Sequence, residues 1–222
     1  MTVSMSLVHA MLFDVFGTCV DWRGTVTREL ERRGLPAELA DAWRGAYQPQ
    51  LETVRSGERE WTDLDGLHRE ALDRLLTARG LAVADPDELT RVWHRLDPWP
   101  DTVEGLTRLK RRCVIAPCSN GHIALLVDMA RHAGLPWDAI VGAELAHAYK
   151  PQPAAYLRSV AALGLQPGEV MMVAAHNADL AAAAALGLRT AFVSRPTEDA
   201  APGGDWDVVA ADFLDLASQC GA

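Results

Sequence analysis

Downstream of Asp101, the sequence alternates between amphipathic helical segments and short apolar segments of strand length. Strands that alternate with helices predict an α/β chain, in which helices cover both faces of a parallel sheet. The predicted helices are residues 102–110, 122–133, 153–163 and 179–186, and the strands that follow them are residues 113–117, 139–142, 170–174 and 190–193.

A helical block separates these elements from the first predicted strand, the apolar run of residues 8–13. Within residues 36–55, apolar side chains recur every fourth position, which predicts one face of a single helix. The side chains of this face are Leu39, Trp43, Tyr47 and Leu51. We therefore predict two domains, a core of residues 1–19 and 100–222 and an inserted helical cap domain of residues 20–99.

The composition excludes several classes of partner. The chain has 222 residues, 49% of them hydrophobic, which is enough for a full core. Its net charge of −9 is spread along the chain, which argues against a nucleic-acid partner. The four cysteines form no CxxC pair or zinc-ligand spacing, and the sequence has neither a basic leader nor a membrane-length apolar run. We therefore expect a cytoplasmic protein without a signal peptide, a membrane span or disulfides.

Polar side chains follow the predicted strands at the points where the strands end. Ligands of open parallel sheets bind beyond the carboxyl ends of the strands, so these side chains are expected to converge. Asp14 directly follows the first apolar run, and burying its carboxylate is costly unless a positive group compensates. Such a position favours a functional acid over a structural one. The other candidates are Ser119, Asn120, Lys150, His176, Asn177 and Asp179.

Four short motifs carry a resemblance to a known family. They are Asp14-Val15-Phe16-Gly17-Thr18, Ser119-Asn120-Gly121, Lys150-Pro151 and Ala174-Ala175-His176-Asn177-Ala178-Asp179. In this order and spacing, over essentially the whole chain, they resemble the motifs of the haloacid dehalogenase superfamily of hydrolases. Within the superfamily, the chain looks most like the L-2-haloacid dehalogenases. The features that carry this closer likeness are the Trp43-Arg44 pair and the six-residue spacing of Lys150 and Tyr156.

The resemblance implies a Rossmann-like core with an inserted cap, and it assigns roles to the matching residues. Asp14 is the implied nucleophile and Arg44 is the implied halide ligand. Asp179 matches the acid that positions the hydrolytic water in this family. The remaining implied catalytic residues are Lys150 and Asn177, together with Thr18 and Ser119, whose hydroxyls are expected to orient Asp14. The remaining implied substrate-binding or halide-binding residues are Val15 and Phe16, through their backbone amides, with Asn120 and Tyr156. Because such relatives often pair, a homodimer is also a possible assembly.

Two positions depart from the best-known 2-haloacid dehalogenases. The run Ala174-Ala175-His176 replaces a Ser-Ser-Asn run, and Phe16 replaces a tyrosine that often lies two residues after the nucleophile. A subgroup with similar Ala-Ala-His runs includes relatives that attack fluoroacetate. His176 is therefore a candidate specific to this sequence, either for positioning the hydrolytic water in place of Asp179 or for contacting the substrate.

The same two positions argue against phosphoryl transfer. A phosphatase of this superfamily needs an acid two residues after the nucleophile, where the phenyl ring of Phe16 cannot act as a general acid. It also needs a Mg²⁺ ligand at the position of Ala175, whose methyl group offers no oxygen. We therefore expect no metal and no cofactor.

A carboxylate without a metal can displace halide from an sp³ carbon and form an ester that water then hydrolyses. Halide leaves without a proton but needs positive charge and donors, which Arg44 and Asn120 can supply. We therefore predict hydrolytic dehalogenation of short 2-haloalkanoic acids to 2-hydroxy acids. Two alternatives stay open. One is the opening of another electrophile, such as azetidine-2-carboxylate, by the same attack, and the other is a non-catalytic protein that binds a small acid.

Overall fold

The computed structural model of the chain describes residues 7–222. Residues 1–6 lie outside the described residues. They include part of the predicted core domain and part of the N-terminal segment in which no signal peptide was expected. The strands are β1 (Ala10–Phe13), β2 (Val20–Asp21), β3 (Asp97–Pro98), β4 (Val114–Pro117), β5 (Val170–Ala174), β6 (Arg189–Val193) and β7 (Val208–Ala210). The helices are α1 (Trp22–Arg32), α2 (Leu39–Gly45), α3 (Tyr47–Arg55), α4 (Leu64–Arg79), α5 (Pro86–Thr90), α6 (Thr102–Leu109), α7 (Ile123–Ala133), α8 (Pro153–Ala162), α9 (Asn177–Ala185) and α10 (Phe213–Gln219). Short 3₁₀ turns lie at Arg91–His94, Ala143–Leu145 and Pro167–Glu169.

Five parallel strands form the central sheet in the order β4-β1-β5-β6-β7. Strand β1 lies between β4 and β5, so that Phe13 pairs with both Pro117 and Val173. All four residues of β1 are fully buried, as expected for an interior parallel strand. The residues that follow β1, β4 and β5 therefore meet at one edge of the sheet, which is the edge predicted to bind ligand.

The helices α1 to α5, called the cap helices below after the predicted domain, lie between β2 and β3. These two strands pair antiparallel and form a two-stranded ribbon beside the main sheet. Local signals explain the ends of the longest helix, α4. The side chain of Asp63 accepts a hydrogen bond from the Gly66 amide at 3.0 Å, and Gly80 takes a left-handed conformation with φ of 61°. The ribbon lies next to the predicted boundaries of the cap domain, whose division from the core stays a prediction.

Two details of the sequence prediction were wrong, and two elements were not predicted at all. Residues 139–142, predicted as a strand, have no strand conformation, and the sheet passes directly from β1 to β5. The single helix predicted over residues 36–55 is divided at Ala46 into α2 and α3. The four apolar residues of its predicted face are nevertheless all buried. The last strand and the last helix, β7 and α10, were not predicted, because their short segments carry weak periodicity.

One hydrophobic cluster joins the sheet to the cap helices. Phe13 of β1 and Phe16 belong to it, together with buried tryptophans from residues 20–99. The ring centroids of Phe16 and Trp93 lie 6.2 Å apart, and those of Trp93 and Trp43 lie 5.5 Å apart. Leu12 of β1 points to a second cluster on the other face of the sheet. Within residues 7–222, no helix combines the length and the apolar character that crossing a membrane requires.

Candidate active site

Asp14 lies directly beyond β1, where three side chains contact its carboxylate. Thr18 Oγ1 donates to Oδ2 at 2.8 Å, and Lys150 Nζ donates to Oδ1 at 2.8 Å. His176 Nδ1 lies 3.1 Å from Oδ2. Only 9% of the Asp14 side chain is exposed. The carboxylate is therefore held in one orientation, with different donors on its two oxygens.

The hydroxyl of Thr18 is itself oriented by the backbone. The Ala175 amide donates to Thr18 Oγ1 at 2.9 Å, so the hydroxyl proton is left free to point at Asp14. This bond connects the loop after β1 to the end of β5. The predicted orienting role of Thr18 thus has a matching hydrogen bond on each side of the hydroxyl.

The charges around Asp14 keep it ionised. Burial alone raises the pKa of the Asp14 carboxyl, but the Lys150 ammonium and the His176 ring outweigh burial and hold that pKa well below its usual range. Burial likewise lowers the pKa of Lys150, but Asp14 and Asp179 outweigh it, so that the pKa of Lys150 is well above its usual value. At neutral pH, Asp14 is an anion between two cations.

Asp179, in the first turn of α9, shares Lys150 with Asp14. Lys150 Nζ lies 2.5 Å from Asp179 Oδ2, and the Tyr156 hydroxyl donates to Oδ1 at 2.5 Å. Burial and the charge of Asp14 raise the pKa of Asp179 against the opposing effect of Lys150. Burial raises the pKa of Tyr156 as well, so its phenol stays protonated. Asp179 is therefore the more basic of the two acids.

His176 bridges Asp14 and a second carboxylate that the sequence did not indicate. His176 Nε2 lies 2.8 Å from Glu198 Oε2, and Glu198 Oε1 accepts from Trp22 Nε1 at 2.9 Å. Burial lowers the pKa of His176, but hydrogen bonds to Asp14 and Glu198 outweigh it and raise that pKa to about 10. The ring is therefore an imidazolium at neutral pH, with one N–H directed at each acid.

Arg44 of α2 projects from the cap helices without a counter-ion in the described part of the chain. No carboxylate of residues 7–222 pairs with it, and its buried Nη1 atom has no hydrogen-bond partner there. Instead its guanidinium lies 4.2 Å from the ring centroid of Tyr47, 5.4 Å from that of Trp22 and 6.0 Å from that of Phe16. Aromatic faces favour a cation but do not neutralise it. Arg44 is thus prepared to bind an anion.

Asn120 lies between the cap helices and the loop that carries Lys150. Its Nδ2 donates to the Tyr47 hydroxyl at 2.8 Å, and its Oδ1 accepts from the Lys150 amide at 2.8 Å. One N–H of the amide group therefore remains for a ligand. The backbone amides of Val15 and Phe16 donate to no acceptor among residues 7–222, which also leaves them available.

Most of these groups line a single cavity of about 390 Å³. The predicted residues in its wall are Asp14, Phe16, Arg44, Asn120, Lys150, Tyr156, His176 and Asp179. The wall also contains Tyr47, Gln48, Arg55 and Asp199, which the sequence did not indicate. Arg55 ends α3 and donates from Nη1 to the Lys150 carbonyl at 2.7 Å, so a cap helix is bonded directly to the lysine loop. Tyr47 shares the buried helical face with Trp43. No sequence motif indicated that its hydroxyl would reach the cavity.

Four predicted site residues lie outside the cavity wall, and one of them is Thr18, which lies behind Asp14. Ser119 Oγ accepts from the Gly121 amide at 3.1 Å and forms no hydrogen bond with Asp14 in the described chain, in contrast to its predicted orienting role. The Asn177 side chain bonds to Asp199, Ala201 and Gly203, which shapes the loop after β6. The side chain of Val15 is part of the core, so that only its backbone amide can serve a ligand.

The groups around Asp14 do not fit a Mg²⁺ site. Mg²⁺ requires several oxygen ligands in octahedral geometry. Ala175 and Phe16 offer none, and the ammonium of Lys150 and the imidazolium of His176 would both repel a divalent cation beside Asp14. The donor set suits an anionic substrate instead.

The comparison with known proteins matches this geometry. The sequence model of the haloacid dehalogenase-like hydrolases matches residues 8–187. The chain belongs to this family. Among solved structures similar to this hydrolase is a defluorinating L-2-haloacid dehalogenase, 49% identical, with a TM-score of 0.92 and coverage of 97% of this chain and 96% of that one.

Two further proteins that are similar to this haloacid dehalogenase-like hydrolase are also named as 2-haloacid dehalogenases. The solved structure of another L-2-haloacid dehalogenase is 46% identical, with a TM-score of 0.92 and coverage of 96% of this chain and 99% of that one. The (S)-2-haloacid dehalogenase 4A of Burkholderia cepacia is 31% identical over 196 residues, covering 85% of this chain and 84% of that protein. The predicted family and α/β fold are thereby confirmed.

Proposed function

We propose that the protein hydrolyses the carbon–halogen bond of short 2-haloalkanoic acids and yields 2-hydroxy acids and halide through an ester on Asp14. One observation carries this proposal. A buried carboxylate that is ionised and fixed shares a cavity with an arginine that has no acidic partner within residues 7–222. The nucleophile and the binding site for a departing anion are thus both present. The names of the relatives support the same reaction class.

The first step is displacement at carbon 2. Asp14 Oδ1 accepts one hydrogen bond and Oδ2 accepts two, so Oδ1 has the more available lone pair for attack. The new carbon–oxygen bond forms as the carbon–halogen bond breaks. The electron pair of the carbon–halogen bond leaves with the halide, toward Arg44 and the free N–H of Asn120. Attack from one side and departure on the other inverts the configuration. The free amides of Val15 and Phe16 suit the substrate carboxylate.

The second step is hydrolysis of the ester. Water attacks the Asp14 carbonyl carbon and gives its proton to Asp179, whose raised pKa makes it the better base. The charge that develops on Oδ2 receives hydrogen bonds from Thr18 and from the His176 imidazolium. His176 cannot accept the proton, because both of its nitrogens already carry one at neutral pH. The bond from Oδ1 to the carbonyl carbon breaks while its bond to carbon 2 stays intact, and Oδ1 takes the proton back from Asp179, which releases the 2-hydroxy acid. The remaining proton of the attacking water leaves the regenerated Asp14 carboxyl for solvent.

Several finer features belong to the same proposal. Haloacetates, including fluoroacetate, are proposed as substrates because the similar solved structure is named as defluorinating. Fluoride demands strong donors, which an arginine without an acidic partner supplies. We also propose that residues 20–99 act as a cap domain over the cavity and that the protein forms a homodimer. The cytoplasmic location stays a prediction, in keeping with four free cysteines.

The decisive experiment measures halide and proton release by purified protein from chloroacetate, bromoacetate, fluoroacetate and L-2-chloropropionate. We expect one halide and one proton per molecule of hydroxy acid, with no added metal and with no loss of rate in chelator. The Asp14→Asn variant is expected to lose the activity, whereas Asp87→Asn, at an exposed ion pair with Arg69, is expected to keep it. No halide from any of the four substrates would overturn the proposal.

A single turnover in ¹⁸O-water tests the ester. We expect the label in the Asp14 carboxylate and none in the hydroxy acid, because water attacks the protein carbonyl rather than the substrate. Mass spectrometry of the peptide that contains Asp14 measures the incorporation. Label in the product of the first turnover would mean direct attack of water on carbon 2 and would refute the ester mechanism.

A further inference from the structure

A second group of chemically active side chains lies where the cap helices meet the core, outside the cavity of Asp14. Asp65 of α4 and His94 of the 3₁₀ turn after α5 come from the cap side, and His122 immediately precedes α7 of the core. One ligand atom of each lies within 4.8 Å of the others. We propose that these three residues bind one divalent transition-metal ion of the zinc class.

The distances suit such an ion. His94 Nε2 lies 2.8 Å from Asp65 Oδ1, and His122 Nε2 lies 3.5 Å from Asp65 Oδ2. Two ligands at about 2.0–2.2 Å from a tetrahedral Zn²⁺ are roughly 3.3–3.5 Å apart. All three ligand atoms lie within 4.8 Å of one another, so an ion can enter when Asp65 and His94 separate slightly and the other side chains approach. Two imidazoles and one carboxylate form a donor set that zinc, cobalt and nickel accept.

The state of His122 is the observation that the protein alone does not explain. The residue is buried, and its Nδ1 atom has no hydrogen-bond partner among the described residues. Its Nε2 atom is 3.5 Å from Asp65, which is too long for a good hydrogen bond. A buried imidazole normally satisfies its polar atoms. A metal ion bound at Nε2 would replace this long contact with a coordinate bond, and Nδ1 would carry the N–H of the neutral ring.

His94 already has the outer partner that metal-binding histidines usually have. Its Nδ1 lies 2.9 Å from Asp128 Oδ2, so that Nε2 is turned toward Asp65 and the proposed ion. A carboxylate behind the ring fixes the tautomer and strengthens the ligand nitrogen. Asp128 belongs to α7, as the next residues after His122 do, so the same helix supports both histidines.

Charge and access are also compatible with an ion. With the ion bound, its two positive charges balance Asp65 and Asp128, and both imidazoles are neutral. The side chains of Asp65 and Asp128 are 43% and 49% exposed, which leaves a path from solvent.

The site would act as a clamp between the two parts of the chain. Asp65 and His94 lie among the cap helices, whereas His122 lies two residues after Asn120 of the main cavity. A bound ion would therefore stabilise the cap against the core and limit the movement of the Asn120 loop. This inference does not depend on the proposed dehalogenation.

The test is titration of the chelator-treated protein with Zn²⁺ and with Co²⁺. We expect one ion per chain by calorimetry, visible d–d absorption for bound Co²⁺, and a higher thermal midpoint with metal. His122→Asn should weaken binding at least tenfold while leaving both ion pairs of His94 in place. His132→Asn is the matched control, because exposed His132 pairs with Asp97 outside the cluster.

Three results would overturn the proposal. They are the absence of stoichiometric binding in the unaltered protein, unchanged binding in His122→Asn, and equal loss of binding in His132→Asn. If His122→Asn does not fold, Asp65→Asn replaces it, since the amide keeps the shape but removes the charged ligand. Unchanged affinity in Asp65→Asn would be equally decisive against the site.

Discussion

Each nitrogen of His176 faces a carboxylate, one of which is the proposed nucleophile. The sequence placed His176 in a motif, but Glu198 lies in an irregular loop after β6 and has no motif or periodicity around it. Its side chain nevertheless connects His176 to Trp22, which lies 176 positions before Glu198 in the sequence. Residues that follow strand ends were predictable from topology. A loop residue that approaches them through tertiary packing was not.

Replacing Glu198 by glutamine is expected to lower the pKa of His176 from about 10 toward its ordinary value, because one of the two negative partners is removed. The imidazole NMR signals of His176, followed across pH, measure this shift. In the unaltered protein the folded pKa exceeds the unfolded one of about 6.5. The protonated ring therefore stabilises the fold fully below about pH 6.5, and this contribution disappears as the pH rises to about 10.

Trp22→Phe is the control for that titration. It removes the N–H that donates to Glu198 but leaves the glutamate charge in place. We expect His176 to keep its raised pKa in this variant. An equal fall of the pKa in both variants would show that the position of Glu198, rather than its charge, determines the protonation of His176.

Arg44 is expected to affect halide departure through its paired N–H donors as well as its charge. Arg44→Met should reduce kcat/KM roughly 10²-fold, which is the usual cost of removing one charge-stabilising donor group. The kcat/KM of Arg44→Lys should lie between that of Arg44→Met and that of the unaltered protein, because lysine keeps the charge but not the paired donors. Initial rates of halide release measure both variants. Arg23→Met, at an exposed ion pair with Asp41, is the matched control. Full activity in Arg44→Met would exclude Arg44 from the site.

At the scale of elements, the turn between β1 and β2 depends on Gly17. This residue has φ of 86°, and a Cβ atom there would overlap the Glu198 carboxylate. Gly34, after α1, has a similar φ of 73° but open space around it. The glycine in the first motif therefore serves both the backbone of the turn and the approach of Glu198 to His176.

The two glycines give a matched pair of variants. Gly34→Ala is expected to lower the free energy of unfolding by about 1–2 kcal/mol, from the left-handed conformation alone. Gly17→Ala should cost more and should also lower the pKa of His176, because Glu198 has to move away. Urea unfolding and the His176 titration measure the two effects. Equal costs and an unshifted pKa would contradict the proposed contact.

Elements themselves were predictable where the hydrophobic pattern was long. The four helices predicted after Asp101, which are α6 to α9, were located to within a few residues. The break at Ala46 was not predictable, because the apolar spacing of Trp43 and Tyr47 continues through it. Residues 139–142 are apolar but pair with no strand, which shows that a short apolar run does not determine its partner.

At the scale of the whole molecule, the cap helices and the sheet share one hydrophobic cluster. We therefore expect the cap and the core to unfold in one cooperative transition in urea. Tryptophan fluorescence follows mainly residues 20–99, which contain five of the seven tryptophans, and far-UV circular dichroism follows the whole chain. The two curves are expected to coincide. A fluorescence change at lower urea would mean that the cap unfolds separately.

The fixed orientation of the Asp14 carboxylate determines which of its two oxygens is exchanged with water during turnover. If Oδ2 stays bonded to Thr18 and His176, only Oδ1 is passed to the product, and water replaces it in every cycle. The oxygen at Oδ2 would then be the one incorporated when the protein was synthesised, whereas the oxygen at Oδ1 would come from the water consumed in the preceding turnover. In continuous reaction in ¹⁸O-water, the product of the second and every later cycle would carry the label completely. A carboxylate that rotated freely between cycles would label only half of the second product.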